Sequence, residues 1–168
     1  MGGARSFPVQ GRTGKAPGGK VAQAMNSSST VSAELGISLF VPPEDVVVPL
    51  VAGLSYSKTD PYAVCLSLHV GLDEPVEWVF ARELLLAGLE REHGLGDVRV
   101  WPSVRSQGGL PGMVLNIELS SSAGHANFEA PLREVSAFLH DSYALVPAGR
   151  ENRHIDVDAE FRKLLRQS

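Results

Sequence analysis

The sequence has little of what marks the commoner functional classes of protein. It contains one cysteine, Cys65, which excludes an intrachain disulfide framework and a cysteine-based zinc finger. No run approaches the roughly 18 apolar residues that a membrane-spanning helix needs. Phosphate-binding loops of the Gly-x-x-x-x-Gly-Lys-Ser/Thr type, Gly-x-Ser-x-Gly elbows and His-Glu-x-x-His are absent. These absences favour a small intracellular protein without a resident cofactor or metal.

What the chain does contain is typical of one globular domain with a separate tail. Its 168 residues are 43% hydrophobic and 20% charged, which is enough for a hydrophobic core. Residues 1–24 carry four basic residues and no acid, which leaves 11 basic residues against all 19 acids and a net −8 for the remainder. We expect this glycine-rich tail to be disordered, with Met25 as the functional start and a domain at 25–168. A tether to nucleic acid or anionic lipid is the alternative for a basic tail.

Alternating apolar and polar residues predict an α+β domain dominated by antiparallel sheet. The turns between the predicted strands are too short for parallel crossovers. Seven strands are predicted at 31–41, 49–56, 62–70, 76–81, 97–101, 113–120 and 125–130. A short mid-chain helix is predicted at 82–90, and two C-terminal helices at about 131–145 and 156–166. We expect Pro102 to end the fifth strand and residues 106–112 to form a glycine-rich loop.

Three polar residues near the C-terminus alternate along the chain: His154, Asp156 and Asp158. Their side chains are of types that bind a hard metal ion. An aspartate just ahead of a predicted helix is more often its N-terminal cap. Capping is therefore the favoured interpretation.

Aromatic residues and arginines share several predicted strands, as they do in proteins that bind single-stranded nucleic acid. Arg99 lies next to Trp101 in this pattern, and Arg82 follows Trp78 and Phe80. The net charge of the domain disfavours a phosphate backbone. We interpret Trp78 and Phe80 as core residues.

Several longer sequence segments resemble one family. They are DPYAV at 60–64, VEWVFARELL at 76–85, GDVRVWP at 96–102, EAP at 129–131 and RHIDVD at 153–158, in that order. Together they resemble the SsgA-like sporulation and cell-division proteins of actinomycetes, most closely the SsgB-type members. The resemblance runs from about residue 26 to the C-terminus and leaves the basic tail outside.

The resemblance implies a non-enzymatic regulator of sporulation-specific cell division, cytoplasmic and at the division septum, which recruits or localises the tubulin-like GTPase FtsZ. It implies a Whirly-like fold and a homotrimer. The implied partners are FtsZ and other division or SsgA-like proteins, with neither nucleic acid nor membrane insertion expected. Single-stranded nucleic-acid binding by a Whirly-like fold is the alternative, although a shared fold does not transfer activity.

An adaptor of this kind would act through a protein–protein surface. Aromatic and arginine side chains usually dominate the binding energy of such surfaces. The predicted interaction residues are therefore Trp101, Arg99, Arg82 and Glu83. No catalytic, cofactor-binding or metal-ligating residue is assigned.

Overall fold

The structure is a computed structural model that describes residues 29–41, 46–71, 74–107, 110–155 and 162. The strands in this part are β1 (Thr30–Val41), β2 (Val46–Ser57), β3 (Asp60–His69), β4 (Val76–Ala81), β5 (His93–Leu95), β6 (Val98–Gln107), β7 (Leu110–Ser121) and β8 (Gly124–Pro131). The helices are α1 (Arg82–Gly88), α2 (Leu132–Leu145) and a short 3₁₀ helix (Glu151–His154). All paired strands are antiparallel, in one sheet of order β4-β3-β2-β1-β8-β7-β6-β5.

The same succession of elements occurs twice along the chain. β1 to β4 form an antiparallel meander that leads into α1, and β5 to β8 form a second meander that leads into α2. The two meanders join through a short ladder between β1 and β8, in which Leu39 pairs with Phe128. The sequence shows no matching repeat, and the corresponding first strands differ in length, since β5 has three residues and β1 has twelve.

Period-two alternation divides the sheet into two faces. The core face is apolar: it buries Val31, Leu35 and Ile37 from β1 and Leu115, Ile117 and Leu119 from β7. Burying an aliphatic side chain of this size contributes about 1.5–3 kcal/mol. We call the opposite face, which carries Phe40, Asn127, Glu118, Arg99 and the residues that alternate with them, the outer face.

The two helices cover the core face. α1 contacts β3, β5 and β6, and α2 contacts β1, β7 and β8. Because α1 connects the two edge strands β4 and β5 and touches both meanders, the sheet curls around the helices. The buried face of α2 is formed by Val135, Phe138 and Leu139.

Gly88 lies where α1 approaches the sheet most closely. A Cβ atom at this position would overlap Cγ2 of Val100 and lie 2.8 Å from Cβ of the same residue, which is itself fully buried. The contact leaves no room for a side chain, so the glycine is needed for packing and does more than end the helix.

The predicted α+β class and antiparallel arrangement are confirmed, but the prediction of seven strands is wrong. The additional strand is β5, which pairs with Val98–Val100 across a turn at Gly96. Gly96 has a φ of 60°, which suits glycine. Two glycines this close together, Gly94 and Gly96, are typical of a break between elements. In the structure they belong to a tight hairpin instead.

The prediction that Pro102 ends a strand is also wrong. β6 continues to Gln107, and Pro102 pairs with Leu115 of β7. In the described residues β5 pairs with β6 only as far as Val100, so Pro102 lies at a sheet edge, where proline is tolerated. Strand residues also occupy much of the predicted 106–112 loop, whose residues 108 and 109 are outside the described ranges.

Two predictions fall largely on residues that are not described. The basic tail at 1–24 lies outside them, and so does the predicted helix at 156–166 except for Arg162, which is helical. The Whirly-like likeness and the homotrimer stay predictions.

Candidate functional site

Two of the four predicted interaction residues lie together on the outer face of β6. Arg99 pairs across the ladder with Glu118, and Trp101 pairs with Asn116. Arg99 is exposed; it forms an ion pair with Glu92 and a longer one, at 3.5 Å, with Glu118. Its guanidinium carbon lies 5.6 Å from the centre of the Trp101 ring. Arg99 and Trp101 therefore form one contiguous aromatic and charged patch.

The other two predicted residues, Glu83 and Arg82, begin α1 on the core face of the sheet. Glu83 is exposed in the first turn of the helix. Arg82 is 1% exposed, so the expectation that it lies on an interaction surface is wrong. Successive residues of a helix point about 100° apart, so the exposure of Glu83 does not extend to Arg82. The structure thus does not bring the four residues together.

The buried guanidinium of Arg82 has hydrogen-bond partners on both sides. Its Nη1 donates to the carbonyl oxygens of Ser142 and Val146, each at 2.9 Å, and its Nη2 donates to Glu151 Oε1 at 2.8 Å. The two carbonyls belong to the C-terminal end of α2, where a helix has unpaired acceptors and partial negative charge. Arg82 therefore ties the start of α1 to the end of α2 and to the 3₁₀ helix.

Two tyrosine rings enclose the same guanidinium. The ring centres of Tyr143 and Tyr56 lie 3.8 and 4.5 Å from Arg82 Cζ, within cation–π range. Burial raises the pKa of both tyrosines. The pKa of Glu151 is lowered, because its carboxylate accepts a hydrogen bond from the backbone N–H of the same residue and, as a smaller contribution, one from Arg82. We call Arg82, Tyr56, Tyr143 and Glu151 the Arg82 cluster, and its contacts are those of a structural brace.

A second polar cluster, on the outer face, is absent from the residues predicted from the sequence. Arg105 Nε donates to Glu129 Oε1 at 2.6 Å, and the Arg105 guanidinium lies 4.7 Å from the ring centre of Phe40. Asn116 Nδ2 donates to Ser103 Oγ at 2.7 Å. Glu129 and Asn116 are 7% and 5% exposed, so polar groups are buried here on the side of the sheet away from the helices.

These residues line an open cavity of about 360 Å³ between β1, β6, β7 and β8, which we call the outer-face cavity. Its polar lining consists of Arg105, Asn116, Glu118, His125, Asn127 and Glu129. Asn127 Oδ1 is buried and accepts no hydrogen bond from any described residue. The cavity therefore combines paired charges with one acceptor that no described residue satisfies.

The sequence contains a usable signal for half of this cavity. Polar residues alternate with apolar ones in the last two predicted strands, and the short turn between them sets the pairing. That pairing places Asn116 opposite Glu129 and Glu118 opposite Asn127. The contribution of Phe40 is not predictable in this way, because its strand joins β8 from a distant part of the chain.

Neither a metal centre nor a membrane span is seen in the described part of the chain. No group of three or more His, Cys, Asp or Glu side chains there could hold a metal ion. No helix there is both long and apolar enough to cross a membrane. His154 is exposed in the 3₁₀ helix, while Asp156 and Asp158 lie outside the described residues, so their capping role stays a prediction.

The fold and site together define a class: an α+β domain with one curled antiparallel sheet, helices on its core face, and a polar cavity beside an aromatic and charged patch on its outer face. A family model described as "Streptomyces sporulation and cell division protein, SsgA" matches residues 50–151.

Individual relatives match over almost their whole length. The sporulation-specific cell division protein SsgB of Thermobifida fusca is 54% identical over 142 residues, which cover 84% of this chain and 99% of the relative. The protein of the same name from Streptomyces coelicolor is 50% identical over 141 residues, with coverages of 84% and 99%. The crystal structure of an SsgA-like sporulation-specific cell division protein from Thermobifida fusca aligns with a TM-score of 0.69 at 52% identity, covering 83% of this chain and 98% of that chain.

The chain therefore belongs to the SsgA family and is of the SsgB type, as the sequence segments predicted. Family membership supports a role in sporulation cell division. The names of the relatives describe cell-division proteins and no enzyme.

Proposed function

We propose that the chain is a non-enzymatic regulator of sporulation-specific cell division that recruits or localises FtsZ at septum sites. The observation that carries this proposal is the match, over 99% of their length, to proteins named sporulation-specific cell division protein SsgB. We name FtsZ as the partner because segments such as 76–85 and 96–102 resemble SsgB-type proteins. Both segments lie inside the matched family region. The chain acts in the cytoplasm at the division septum, through protein partners and without a cofactor.

The aromatic and charged patch on β6 is the surface that fits a protein partner best. Trp101 is partly exposed beside the exposed Arg99, and these residue types dominate binding energy at interfaces. Glu83, exposed on α1, is a second and separate contact. Arg82 cannot contact a partner in this way because it is buried.

The charge environment of the outer face favours protein over nucleic acid. Arg99 is paired with Glu92 and Glu118, and Arg105 is paired with Glu129. A phosphate backbone laid along this face would meet those carboxylates next to each arginine, and binding to phosphates requires an excess of basic groups. Among the residues that the structure describes, the face therefore lacks the surplus of positive charge that single-strand binding uses.

The proposal includes a homotrimer. On the outer face of the first meander, Val51 of β2 and Val79 of the edge strand β4 are 46% and 63% exposed. Aliphatic side chains left open on a sheet face are typical of surfaces that a further subunit covers. This region is distinct from the patch on β6, which leaves the patch open to a partner.

Co-sedimentation with FtsZ separates this function from nucleic-acid binding. The full chain and a version beginning at Met25 are each mixed with GTP-assembled FtsZ polymers, and in parallel with labelled single-stranded oligonucleotides over a range of salt concentrations. We expect both versions to pellet with FtsZ and to bind oligonucleotides weakly. Tight, steeply salt-dependent oligonucleotide binding by the shorter version, without pelleting, would overturn the proposal.

A further inference from the structure

The outer-face cavity contains an acceptor that the described residues leave unused. Asn127 lies in β8 between Phe40 of β1 and Glu118 of β7, with which it pairs in register. Its Oδ1 is buried and has no hydrogen-bond partner in the described part of the chain. A buried polar atom without a partner destabilises the fold, so a hydrogen-bond donor that enters here removes an existing penalty.

The charges around this acceptor are unequally compensated. Glu129 is held by Arg105 at 2.6 Å, so these two charges offset each other. The nearest basic group of Glu118 is Arg99, whose Nη1 is 3.5 Å away and whose guanidinium also pairs with Glu92. The balance in the cavity therefore favours a cation over an anion.

The rim of the cavity is aliphatic on the side of the β1–β2 hairpin. Val41 lines the cavity, and Val47, the ladder partner of the lining residue Phe40, is exposed by 50%. Apolar side chains beside a polar pocket match a peptide segment better than a free small cation. The volume of about 360 Å³ is at the lower end of the range for ligand pockets, which suits one long side chain.

We propose that the outer-face cavity binds a basic side chain, lysine or arginine, that a protein partner presents between aliphatic residues. The ammonium or guanidinium group donates to Asn127 Oδ1 and pairs with the Glu118 carboxylate, while the flanking aliphatic residues pack on the rim formed by Val41 and Val47. This proposal deepens the adaptor function. It rests on that function only for the statement that the basic side chain belongs to a protein partner. The cation preference itself does not depend on FtsZ.

Short peptides test the cation preference independently of any FtsZ result. The full ¹⁵N-labelled chain is titrated with acetyl-Val-Lys-Val-amide, acetyl-Val-Arg-Val-amide and, as the neutral control, acetyl-Val-Gln-Val-amide, and backbone amide shifts are recorded by NMR. We expect both basic peptides to shift the amides of Phe40, Glu118 and Asn127 in a saturable way that weakens with salt. Whichever basic peptide binds more tightly identifies the partner side chain.

Three variants assign the binding to the named groups. Glu118→Gln should weaken the basic peptides by about fivefold, the effect of one partly exposed charge pair. Asn127→Asp should tighten them, because it places a charge at the unused acceptor, and loss of folding cannot produce a gain. Glu77→Gln, an exposed glutamate on the distant strand β4, is the matched control and should change nothing.

Three results would overturn the inference. One is equal binding of the glutamine peptide, and another is equal weakening by Glu118→Gln and Glu77→Gln. The third is that no cavity amide shifts, the chain sediments as an oligomer, and these amides are protected from hydrogen exchange. The cavity would then be an interface between copies of the chain. Failure of FtsZ to co-pellet would leave the peptide result standing and would change only the partner.

Discussion

Arg82 is held in the interior of this protein by groups that belong to three different elements. A buried charge is tolerated when hydrogen bonds and counter-charges replace its water. Here two carbonyls at the end of α2, the Glu151 carboxylate and two tyrosine rings do so. The loss of Arg82 would leave the Val146 carbonyl without this donor and the Glu151 carboxylate without its counter-charge, while the Ser142 carbonyl would keep its bond from the Val146 N–H.

Removal of the guanidinium tests this brace. Arg82→Ala should lower the free energy of unfolding by about 3–5 kcal/mol, since one partner of a buried charged pair is lost. The stability of Arg82→Lys should lie between those of Arg82→Ala and wild type, because an ammonium keeps the charge but not the planar fork of the guanidinium. Urea unfolding provides the measurement, and Arg133→Ala, exposed on α2, is the control, with an expected change within about 0.5 kcal/mol. Equal effects of Arg82→Ala and Arg133→Ala would refute the brace.

The lowered pKa of Glu151 makes the same cluster acid-sensitive. The carboxylate is favoured in the folded state by its own backbone N–H and by Arg82, and its pKa falls below the ordinary 4.5. Its stabilising contribution is therefore present above about pH 4.5 and is lost as the pH falls through the lower folded-state value.

Glu151→Gln should remove this part of the acid dependence. The variant is expected to be less stable than wild type at pH 7, and to lose stability with a shallower slope below about pH 4.5. Unfolding free energies measured from about pH 7 to about pH 3 provide the comparison, with circular dichroism at neutral pH to check folding. Parallel curves for the two proteins would contradict the assignment.

At the scale of elements, α1 is fixed by how closely it packs on β6. Intrinsic helix propensity predicts that Gly88→Ala stabilises the helix by up to about 1 kcal/mol. The structure predicts the opposite sign, because the new methyl group would meet Val100. The two effects compete, and overpacking of a buried contact typically costs about 1–3 kcal/mol.

Gly88→Ala is therefore expected to destabilise the protein in thermal unfolding. The double variant Gly88→Ala, Val100→Ala should be less destabilised than the sum of the two single variants, because the smaller residue at 100 makes room for the methyl group. Gly36→Ala is the matched control, since nothing lies within 4 Å of a Cβ at that position. A stabilised Gly88→Ala variant would mean that α1 does not lie this close to β6.

The elements that were predicted correctly carry their own local signal. β4 has the predicted bounds 76–81, and α2 covers the predicted helical face, because alternation and helical periodicity are visible in single segments. β5 has three residues and no detectable period. The prediction at Pro102 rests on a local rule, whereas the tolerance of proline there depends on where β5 stops pairing.

The candidate site likewise has residues that a local sequence pattern predicts and residues that it does not. Trp101 and Arg99 are two residues apart in one strand, and this parity alone predicts that their side chains share a face. Arg82 was misplaced because its partners lie about 60 to 70 residues further along the chain, where Ser142, Val146 and Glu151 come together only after the helices pack. Burial of a charged residue through tertiary contacts has no local sequence signal.

At the scale of the whole molecule, the doubled meander gives the outer face two different halves. The first half, on β2 and β4, exposes aliphatic residues, and the second, on β6 to β8, carries the cavity and the aromatic patch. We assign the first half to contacts between copies and the second to the partner. This division predicts that oligomer formation and partner binding respond to different substitutions.

The homotrimer is tested by sedimentation equilibrium. We expect a mass about three times the 17.9 kDa of the chain. Val79→Asp should reduce it, because it places a charge in the aliphatic half. Val104→Asp is the matched control, because Val104 has the same 63% exposure at the far end of β6 and should leave the mass unchanged. A wild-type chain that sediments as a monomer would contradict the trimer.

Recruitment of FtsZ is the central claim, and the most direct measurement is the amount of labelled FtsZ polymer collected on beads that carry the full chain. The predicted result is saturable, GTP-dependent recruitment by wild type and by Arg133→Ala, reduced at least about tenfold by Trp101→Ala, as expected for a hot-spot aromatic residue. No recruitment by the folded wild-type chain would contradict the proposed function.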